Sequence, residues 1–442
     1  MRKLYPNCIQ NLSGKIPDYG ETFGFNVKHI IIGAGPAGVV AAETLRKLEP
    51  ESDITLIGDE PEAPYSRMAI PYYLENKIDS SGTHLRKSDG HFEQNNIEVL
   101  QSRINTINTD KKVLTRDAGE EINFDKLLIA TGSSAVKPPI EGMDLPDVHN
   151  CWTLADANQI IDRAKPDAKV VLMGAGFIGC IILESLVSRG VNLTVVEMEN
   201  RMVPRMMNEQ SGTLLKQWCE NKGITVLTSA RVSGIEKGSQ HPLNVVMSAG
   251  ETLPADLVIC ATGVRANASL CNESSIETEH GILVNEFLQT SHPDIFAAGD
   301  VAQGRDFSTG QYSVQAIQPT AVEHARIAAT NMTEGREHLH RGSINMNILD
   351  TLGLISSSFG DWEGLKGDDV CELRDKDRFR YINLQFQDDI LIGANTLGLT
   401  QHIGVLRGLI QSKTRLGKWK KKLINDPTLI MEAYLATAQG LA

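Results

Sequence analysis

The sequence predicts an α/β protein of several domains, and three observations carry this prediction. Residues 28–60, KHIIIGAGPAGVVAAETLRKLEPESDITLIGDE, are matched in kind by residues 169–199, KVVLMGAGFIGCIILESLVSRGVNLTVVEME. Each copy begins with an apolar run of strand length, turns at a Gly-x-Gly-x-x-Gly, continues as an apolar helix and resumes as a second strand ending in acid. The 442 residues also exceed what one hydrophobic core usually serves, so about two to four domains are expected.

The glycines indicate what each strand–helix–strand unit binds. The first permits a tight turn, the second lets the backbone approach a pyrophosphate, and the third lets helix and strand pack closely. In chain order these glycines are Gly33, Gly35 and Gly38, then Gly174, Gly176 and Gly179. The helix N-terminus that follows stabilises an anion through its free N–H groups and its dipole. Two copies therefore predict two Rossmann-like domains and two dinucleotides.

An acidic residue ends the second strand of each unit, where a carboxylate can accept hydrogen bonds from a ribose. In the first unit Asp59 and Glu60 are both candidates, and the sequence leaves the choice open. In the second unit Glu197 would repel a 2′-phosphate, which favours NAD(H) over NADP(H), and Glu199 adds to that repulsion. Arg201 keeps NADP(H) as an alternative, although a position facing solvent or the pyrophosphate fits it better.

Composition excludes several function classes. A formal net charge of −12 argues against general nucleic-acid binding. The most apolar window, residues 170–183, is fourteen residues long and broken by glycines, whereas a bilayer span needs roughly twenty, so no membrane helix is expected.

The seven cysteines contain no CxxC pair, which predicts reduced thiols and a cytoplasmic protein with no metal or iron-sulfur site of its own. Residues 1–27 contain no secretory signal and are predicted to be an N-terminal extension. The role of this extension is open; Tyr5, Phe23 and Phe25 are candidates for packing against a neighbouring chain.

Three further motifs carry a resemblance to a known family. They are FDKLLIATGS at 124–133, ADLVICATGV at 255–264 and TSHPDIFAAGDVA at 290–302. With the two glycine fingerprints, they resemble the pyridine nucleotide-disulfide oxidoreductase superfamily over roughly residues 28–335. The resemblance implies FAD and NAD(H) as cofactors.

The same resemblance implies a domain plan and a set of binding residues. The implied domains are an FAD domain at 28–145 and 271–335, an inserted NAD domain at 146–270, and a C-terminal mixed α/β interface domain at 336–442 with a basic helical tail. The implied FAD residues are Gly33, Gly35, Gly38, Asp59 or Glu60, Arg67, Thr131, Gly132, Gly299 and Asp300, with Asp300 on the ribityl chain. The implied NAD residues are Gly174, Gly176, Ile178, Gly179, Glu197 and Gly263.

The stretch APYSRMAIPYYL at 63–74 departs from the members that reduce disulfides or peroxides. Where those members carry a redox-active cysteine before a PYY sequence, this chain has Met68, whose thioether cannot form a thiolate. We expect Met68 to fill a gap beside the flavin ring. The YSR at 65–67 is similar to the YxR of the ferredoxin reductase, rubredoxin reductase and NADH-nitrite reductase branch, which implies that Arg67 contacts FAD. A second departure is Ile181, where that branch commonly has glutamate near the nicotinamide.

These features predict a flavoenzyme without a cysteine relay. Hydride transfer between the nicotinamide and flavin N5 would be followed by single-electron transfer to an iron-sulfur protein or a metalloenzyme subunit, with flow in either direction and a homo- or hetero-oligomer possible. Two alternatives stay open. One is an NADH-sensing flavoprotein without turnover, and the other is an NADH oxidase that uses dioxygen directly.

The C-terminal region gives two structural expectations. Alternation in RYINLQF places Ile382, Leu384 and Phe386 on one face of a half-buried strand, and Asp388–Asp389 begin a turn. Residues 408–422, GLIQSKTRLGKWKKK, hold six basic residues and no acid. This segment is either a solvated helix face or a docking face for an acidic redox partner, anchored by Trp419.

Overall fold

A computed structural model describes residues 26–438, apart from residues 118, 334, 336, 365, 366 and 368. Tyr5, Phe23 and Phe25 lie outside the described residues, so their predicted packing against a neighbour stays a prediction. No helix in the described part of the chain combines the length and hydropathy of a membrane span.

The first repeat unit forms a parallel pair of strands joined by a helix. Buried isoleucines of the first strand register against the second strand, as expected for a strand covered on both faces. The elements of this segment are β1 (Lys28–Ile32), α1 (Pro36–Leu48), β2 (Asp53–Gly58), α2 (Ile70–Leu74), α3 (His91–Gln94), β3 (Ile97–Gln101), β4 (Ile104–Asn108), β5 (Val113–Arg116), β6 (Glu121–Asn123), β7 (Lys126–Ile129) and β8 (Ser133–Ala135).

The second repeat unit forms the centre of a separate parallel sheet in the strand order β12-β11-β10-β16-β9. Its elements are β9 (Val148–Asn150), α4 (Leu154–Arg163), β10 (Lys169–Met173), α5 (Phe177–Ser188), β11 (Asn192–Val196), α6 (Glu209–Asn221), β12 (Thr225–Leu227), β13 (Val232–Lys237), β14 (Leu243–Met247), β15 (Thr252–Ala255), β16 (Leu257–Cys260) and β17 (Val264–Ala266). β17 pairs with β8 in a separate two-stranded antiparallel sheet, so the outgoing and returning connections between the two parallel sheets run side by side.

The chain then returns to the first sheet. The elements of the return are β18 (Ile282–Leu283), β19 (Ile295–Ala297), β20 (Ala302–Arg305), β21 (Tyr312–Val314) and α7 (Gln318–Met332). β19 pairs with β7 and completes the order β19-β7-β1-β2-β3, while α7 packs beside α1 in one core. The two sheets confirm the predicted α/β fold with two Rossmann-like units.

The C-terminal region is an antiparallel sheet in the order β22-β23-β26-β25-β24, followed by helices. Its elements are β22 (Met346–Thr351), β23 (Leu354–Gly360), β24 (Asp369–Asp375), β25 (Arg380–Gln387), β26 (Ile390–Leu397), α8 (Ile403–Ser412), α9 (Lys418–Asn425) and α10 (Ile430–Ala438). The predicted turn at Asp388–Asp389 is confirmed between β25 and β26.

The expectation of a half-buried β25 is wrong, because residues 381–386 are buried on both faces. One face carries Leu384 and packs into the C-terminal core. The other face meets the NAD-side domain, where Asn208 Nδ2 donates to Tyr381 Oη at 2.6 Å. Packing between the two domains therefore buries the face of β25 that carries Tyr381, which the alternation predicted to face solvent.

Candidate functional site

The carboxyl ends of the two parallel sheets open onto one cavity of about 1490 Å³. Most residues predicted to bind the two dinucleotides line it. From the first sheet these are Gly33, Gly35, Asp59, Glu60, Arg67, Thr131, Gly132, Gly299 and Asp300; from the second they are Gly174, Gly176, Ile178, Glu197 and Gly263. A single cavity thus joins the two glycine turns.

The first two glycines of each turn have the geometry that a bound pyrophosphate requires. Gly33 and Gly174 have φ of +114° and +99°, where a side chain would be strained. A Cβ on Gly33 would lie 2.1 Å from the Ala130 carbonyl oxygen. A Cβ on Gly35 or Gly176 would meet no atom within 4 Å, and both residues line the cavity and immediately precede α1 and α5. The open space at these helix N-termini fits a phosphate.

The third glycines, Gly38 and Gly179, are not among the residues that line the cavity. A Cβ on Gly38 would lie 1.8 Å from the Gly33 carbonyl oxygen, and one on Gly179 would lie 2.2 Å from the Gly174 oxygen. Both glycines let the helix pack against its turn, as the motif predicts, and their assignment to the cofactor sites stays a prediction.

Arg67 is held in the cavity wall by its own loop. Its Nη2 lies 2.6 Å from Glu60 Oε1, and its Nη1 donates to the Tyr65 hydroxyl at 3.2 Å. The Tyr65 hydroxyl donates to Glu60 Oε2 at 2.6 Å, and burial raises the pKa of Tyr65, so this hydroxyl keeps its proton. Arg67 is thus a fixed positive charge at the site.

The two candidate ribose acids differ in their surroundings. Both oxygens of Glu60 accept hydrogen bonds from Arg67 and Tyr65. Asp59 is exposed and lines the same cavity. The engagement of Glu60 favours Asp59 as the candidate ribose contact, and the choice between the two stays a prediction.

Asp300 lies in a short helical turn directly after Gly299, whose φ is +77°. Ser133 Oγ donates to Asp300 Oδ2 at 2.8 Å. Burial raises the pKa of Asp300, while this hydrogen bond and the charge of Arg67 lower it. Arg67 and Asp300 therefore act on one another electrostatically across the cavity wall.

Glu197 directly follows β11, at the carboxyl end of the strand as predicted, and is 7% exposed. Its Oε2 accepts from the Ala175 N–H at 2.7 Å, and its Oε1 accepts from the Glu199 N–H at 2.9 Å. The carboxylate therefore braces the second glycine turn, with lone pairs remaining for a ribose. Arg201 lines the cavity and stays partly exposed, while its Nε and Nη2 donate to the carbonyls of Met207 and Pro204 and brace a loop.

Sulfur in the cavity wall is present only as unreactive groups. Within the described part of the chain, Cys151 is the one cysteine of the cavity wall; it is buried, and burial raises its pKa to about 12. Cys180 lies away from the cavity, and burial raises its pKa as well. Met68 lines the cavity and is 48% exposed, and Ile181 also lines it. Neither cysteine is a thiolate at neutral pH.

Sequence reasoning missed two parts of the site. The first is Trp152, which lines the cavity beside Arg67. The pattern Thr153-x-x-Asp156, which starts α4, would have placed Trp152 at a helix N-terminus but gives no sign of its contacts. The second is residues 346–348 at the start of β22, which bring the C-terminal domain into the cavity wall. Nothing in their composition indicates this role.

Two glycine turns at helix N-termini, each with an acid at the end of the next strand, define a protein that binds two dinucleotides side by side. The chain belongs to the pyridine nucleotide-disulphide oxidoreductase family, whose profile matches residues 27–329. It is an NAD(H)-dependent flavoprotein oxidoreductase and binds FAD and NAD(H).

Three comparisons show how far the similarity extends. The chain is 33% identical over 315 residues to an NADH oxidase of Methanocaldococcus jannaschii, covering 69% of this chain and 70% of that protein. It is 27% identical over 409 residues to the NADH-dependent phenylglyoxylate dehydrogenase subunit epsilon of Aromatoleum evansii, covering 92% and 96%. A structure of the covalent putidaredoxin reductase-putidaredoxin complex has a TM-score of 0.85 at 23% identity, covering 93% of this chain and 99% of that chain, which shows the shared fold.

Proposed function

We propose that this protein transfers electrons between NADH and a separate electron-transfer protein, namely an iron-sulfur protein or a metalloenzyme subunit that carries such a centre. The observation that carries the proposal is a cavity that joins both glycine turns, with Cys151 as its lining cysteine and a thiol pKa of about 12. Without a thiolate relay, reducing equivalents leave through another molecule.

The proposed roles of the residues follow from their positions. Bound FAD supplies a ring that accepts a hydride and releases electrons singly. The backbone at Gly35 and Gly176 would hold the two pyrophosphates, and Asp59 and Glu197 the two riboses. Arg67 and Asp300 would contact FAD. Accordingly, we propose residues 28–145 and 271–335 as the FAD domain and 146–270 as the NAD domain.

The similarity of this chain to a subunit of a larger enzyme supports the proposal that its electron acceptor or donor is another protein. The Aromatoleum evansii relative is named as a subunit of an NADH-dependent dehydrogenase, and the match covers nearly the whole of both chains, including the C-terminal domain. An arrangement as the flavin subunit of a larger complex is therefore part of the proposal. The cytoplasmic location and the oligomeric state stay predictions.

A second candidate is an NADH oxidase. The relative from Methanocaldococcus jannaschii carries that name and matches the FAD and NAD region. Such an enzyme would deliver electrons to dioxygen without any protein acceptor.

Anaerobic stopped-flow absorbance separates these functions. We expect NADH to bleach the flavin absorbance quickly, and a [2Fe–2S] ferredoxin or a rubredoxin to restore it quickly, with little dioxygen uptake in a parallel aerobic assay. Rapid aerobic NADH consumption without an acceptor protein would establish the oxidase instead. Slow recovery with every acceptor, including dioxygen, would establish an NADH sensor.

A cysteine variant tests the absence of a thiol relay. Cys151→Ser should retain NADH-dependent reduction of ferricyanide and of the ferredoxin, because the buried thiol does not ionise. Loss of ferredoxin reduction alone in this variant would point to a relay through Cys151 and contradict the proposal.

A further inference from the structure

Trp152 lies where the chain enters the NAD-side domain, and its backbone is fixed there. Thr153 is the N-cap of α4, and Thr153 and Asp156 exchange hydrogen bonds in a capping box. Asp156 Oδ2 also accepts from the Trp152 N–H at 3.0 Å. The peptide of Trp152 is therefore tied to the first turn of a helix, a rigid element of the inserted domain.

From this fixed position Trp152 contacts Arg67 in two ways. Its carbonyl oxygen accepts from Arg67 Nη1 at 2.7 Å. The guanidinium carbon lies 5.3 Å from the centre of the indole ring, within the range of a cation–π contact. Since Glu60 and Tyr65 hold the other side of the guanidinium, Trp152 completes its surroundings from the opposite domain.

The indole N–H of Trp152 reaches the second side chain of the FAD site. Nε1 donates to the Ser133 carbonyl oxygen at 2.8 Å, and Ser133 Oγ donates to Asp300 Oδ2 at 2.8 Å. Both Trp152 and Ser133 are partly or fully buried in the cavity wall. One side chain thus connects to Arg67 directly and to Asp300 through a single residue.

We propose that Trp152 is a positioning residue that holds Arg67 and Asp300 in place for FAD. The inference rests on the proposed FAD contacts of these two residues. A cation held close to a redox group favours its reduced, more negative form. Loosening Arg67 should therefore make the flavin midpoint potential more negative and should weaken FAD binding.

Two substitutions separate the contacts of Trp152. Trp152→Phe keeps the ring and the carbonyl but removes the Nε1–H, whereas Trp152→Leu also removes the ring face under Arg67. The loss of one hydrogen bond corresponds to roughly three- to tenfold in a dissociation constant. We expect FAD to bind about threefold more weakly to Trp152→Phe and about tenfold more weakly to Trp152→Leu, with midpoint potentials shifted negative in the same order.

Trp218→Phe is the matched control. The Trp218 indole N–H donates to the carbonyls of Thr351 and Leu352 at 3.1 and 3.3 Å, across another contact between domains, and Trp218 is not among the cavity-lining residues. This variant should lose stability without changing the flavin potential or the affinity for FAD.

A further variant separates failure of the proposed role of Trp152 from failure of the proposed FAD contact of Arg67. Arg67→Gln should itself weaken FAD binding and lower the potential; if it changes neither, the assignment of Arg67 fails. If Arg67→Gln shifts both values while the Trp152 variants match Trp218→Phe, the positioning role is overturned and the site assignment stands. Should Trp152→Leu not fold, the result for Trp152→Phe decides.

Discussion

The second and third glycines of each turn have different surroundings, as the roles predicted from the sequence require. Gly38 has the Gly33 carbonyl where its Cβ would be, whereas Gly35 faces open space in the cavity. The sequence predicts both positions equally well. The motif already assigns Gly35 to a ligand and Gly38 to packing, but it could not identify the Gly33 carbonyl as the group that Gly38 accommodates, because that contact forms only when the helix packs on its turn.

This difference allows the two cofactor sites to be disabled separately. Gly35→Ala and Gly176→Ala place a methyl group in the cavity at backbone angles that alanine accepts, so the apoprotein should keep its stability. Overpacking against a phosphate should raise the dissociation constant roughly 10- to 100-fold. Gly35→Ala should weaken FAD binding, and Gly176→Ala should weaken NADH binding while FAD is retained, as measured by fluorescence titration.

Gly38→Ala is the control for this pair. Its Cβ would overlap the Gly33 carbonyl oxygen, so the unfolding temperature should fall even without cofactor. An unchanged unfolding temperature for Gly38→Ala, or a lowered one for Gly35→Ala, would contradict the division of roles.

At the scale of elements, α7 carries a buried polar cluster that the sequence does not indicate. His324 lies on α7, and its Nε2 is 3.0 Å from Ser343 Oγ, which is also 3.2 Å from His340 Nε2. Burial lowers the pKa of His324 to about 3 and that of His340 to about 4. Both residues are predominantly neutral in the folded protein at neutral pH.

The cluster predicts a loss of stability in mild acid. Each folded-state pKa is below the unfolded value of about 6.5, so the unfolded chain binds more protons once the pH falls below that value. Between pH 7.5 and pH 5 each histidine should remove about 2 kcal/mol from the free energy of unfolding. Urea unfolding at the two pH values measures this change.

His340→Gln isolates one contribution, since the amide can still bond to Ser343 but does not titrate. The variant should lose about 2 kcal/mol less than the wild-type protein over the same pH range. Equal losses in the two proteins would show that carboxylates, and not this histidine, carry the acid sensitivity.

The strands illustrate what periodicity can predict. Alternation correctly located β25 and the face that carries Ile382, Leu384 and Phe386, because the side chains of a strand alternate. It could not predict that Asn383 and Gln385 are buried too, at 3% and 6% exposure, since neighbours outside the strand cover them, among them Gly364 beside Gln385. The sequence pattern predicts which residues share a face of a strand, whereas tertiary packing determines whether that face is exposed to solvent.

At the scale of the whole molecule, the basic tail lies far from the cavity. α9 packs on β24, where Cys371 Sγ donates to the Leu423 carbonyl. β24 and β22 are the opposite edges of the C-terminal sheet, and β22 lines the cavity. Four strand spacings separate these edges, or roughly 19 Å. A partner bound at α9 would therefore need to extend toward the cavity for its redox centre to approach the flavin.

The structure also changes which lysines can serve a partner. Lys420 pairs with Asp369 at 2.6 Å, and Lys422 lies over the Trp419 ring at 3.9 Å. Trp419 is partly buried against the C-terminal core, so only part of its ring is open to a partner, and its role as an anchor stays a prediction. Lys418 and Lys421 are exposed and share one face of α9, three residues apart.

Charge reversal at these two lysines tests the docking interpretation. Lys418→Glu combined with Lys421→Glu should slow reduction of an acidic [2Fe–2S] ferredoxin several-fold at low salt and flatten its salt dependence, because steering by opposite charge is lost. NADH-dependent ferricyanide reduction should be unchanged. The control variant combines Lys111→Glu with Lys237→Glu, two exposed positions elsewhere, and has the same net charge. Equal slowing of ferredoxin reduction in this variant would show that overall charge, and not docking at α9, causes the effect.

The candidate sites of both coenzymes open onto one cavity, which allows the binding of one coenzyme to change the affinity for the other. If bound NAD(H) raises the affinity for FAD by some factor, bound FAD must raise the affinity for NAD(H) by the same factor, because linked binding equilibria are reciprocal. Residues 346–348 of the C-terminal domain line the same cavity, so their position is coupled to the binding of both coenzymes. A subunit that pulls on the C-terminal sheet would thereby alter how tightly both coenzymes are held, without contacting either.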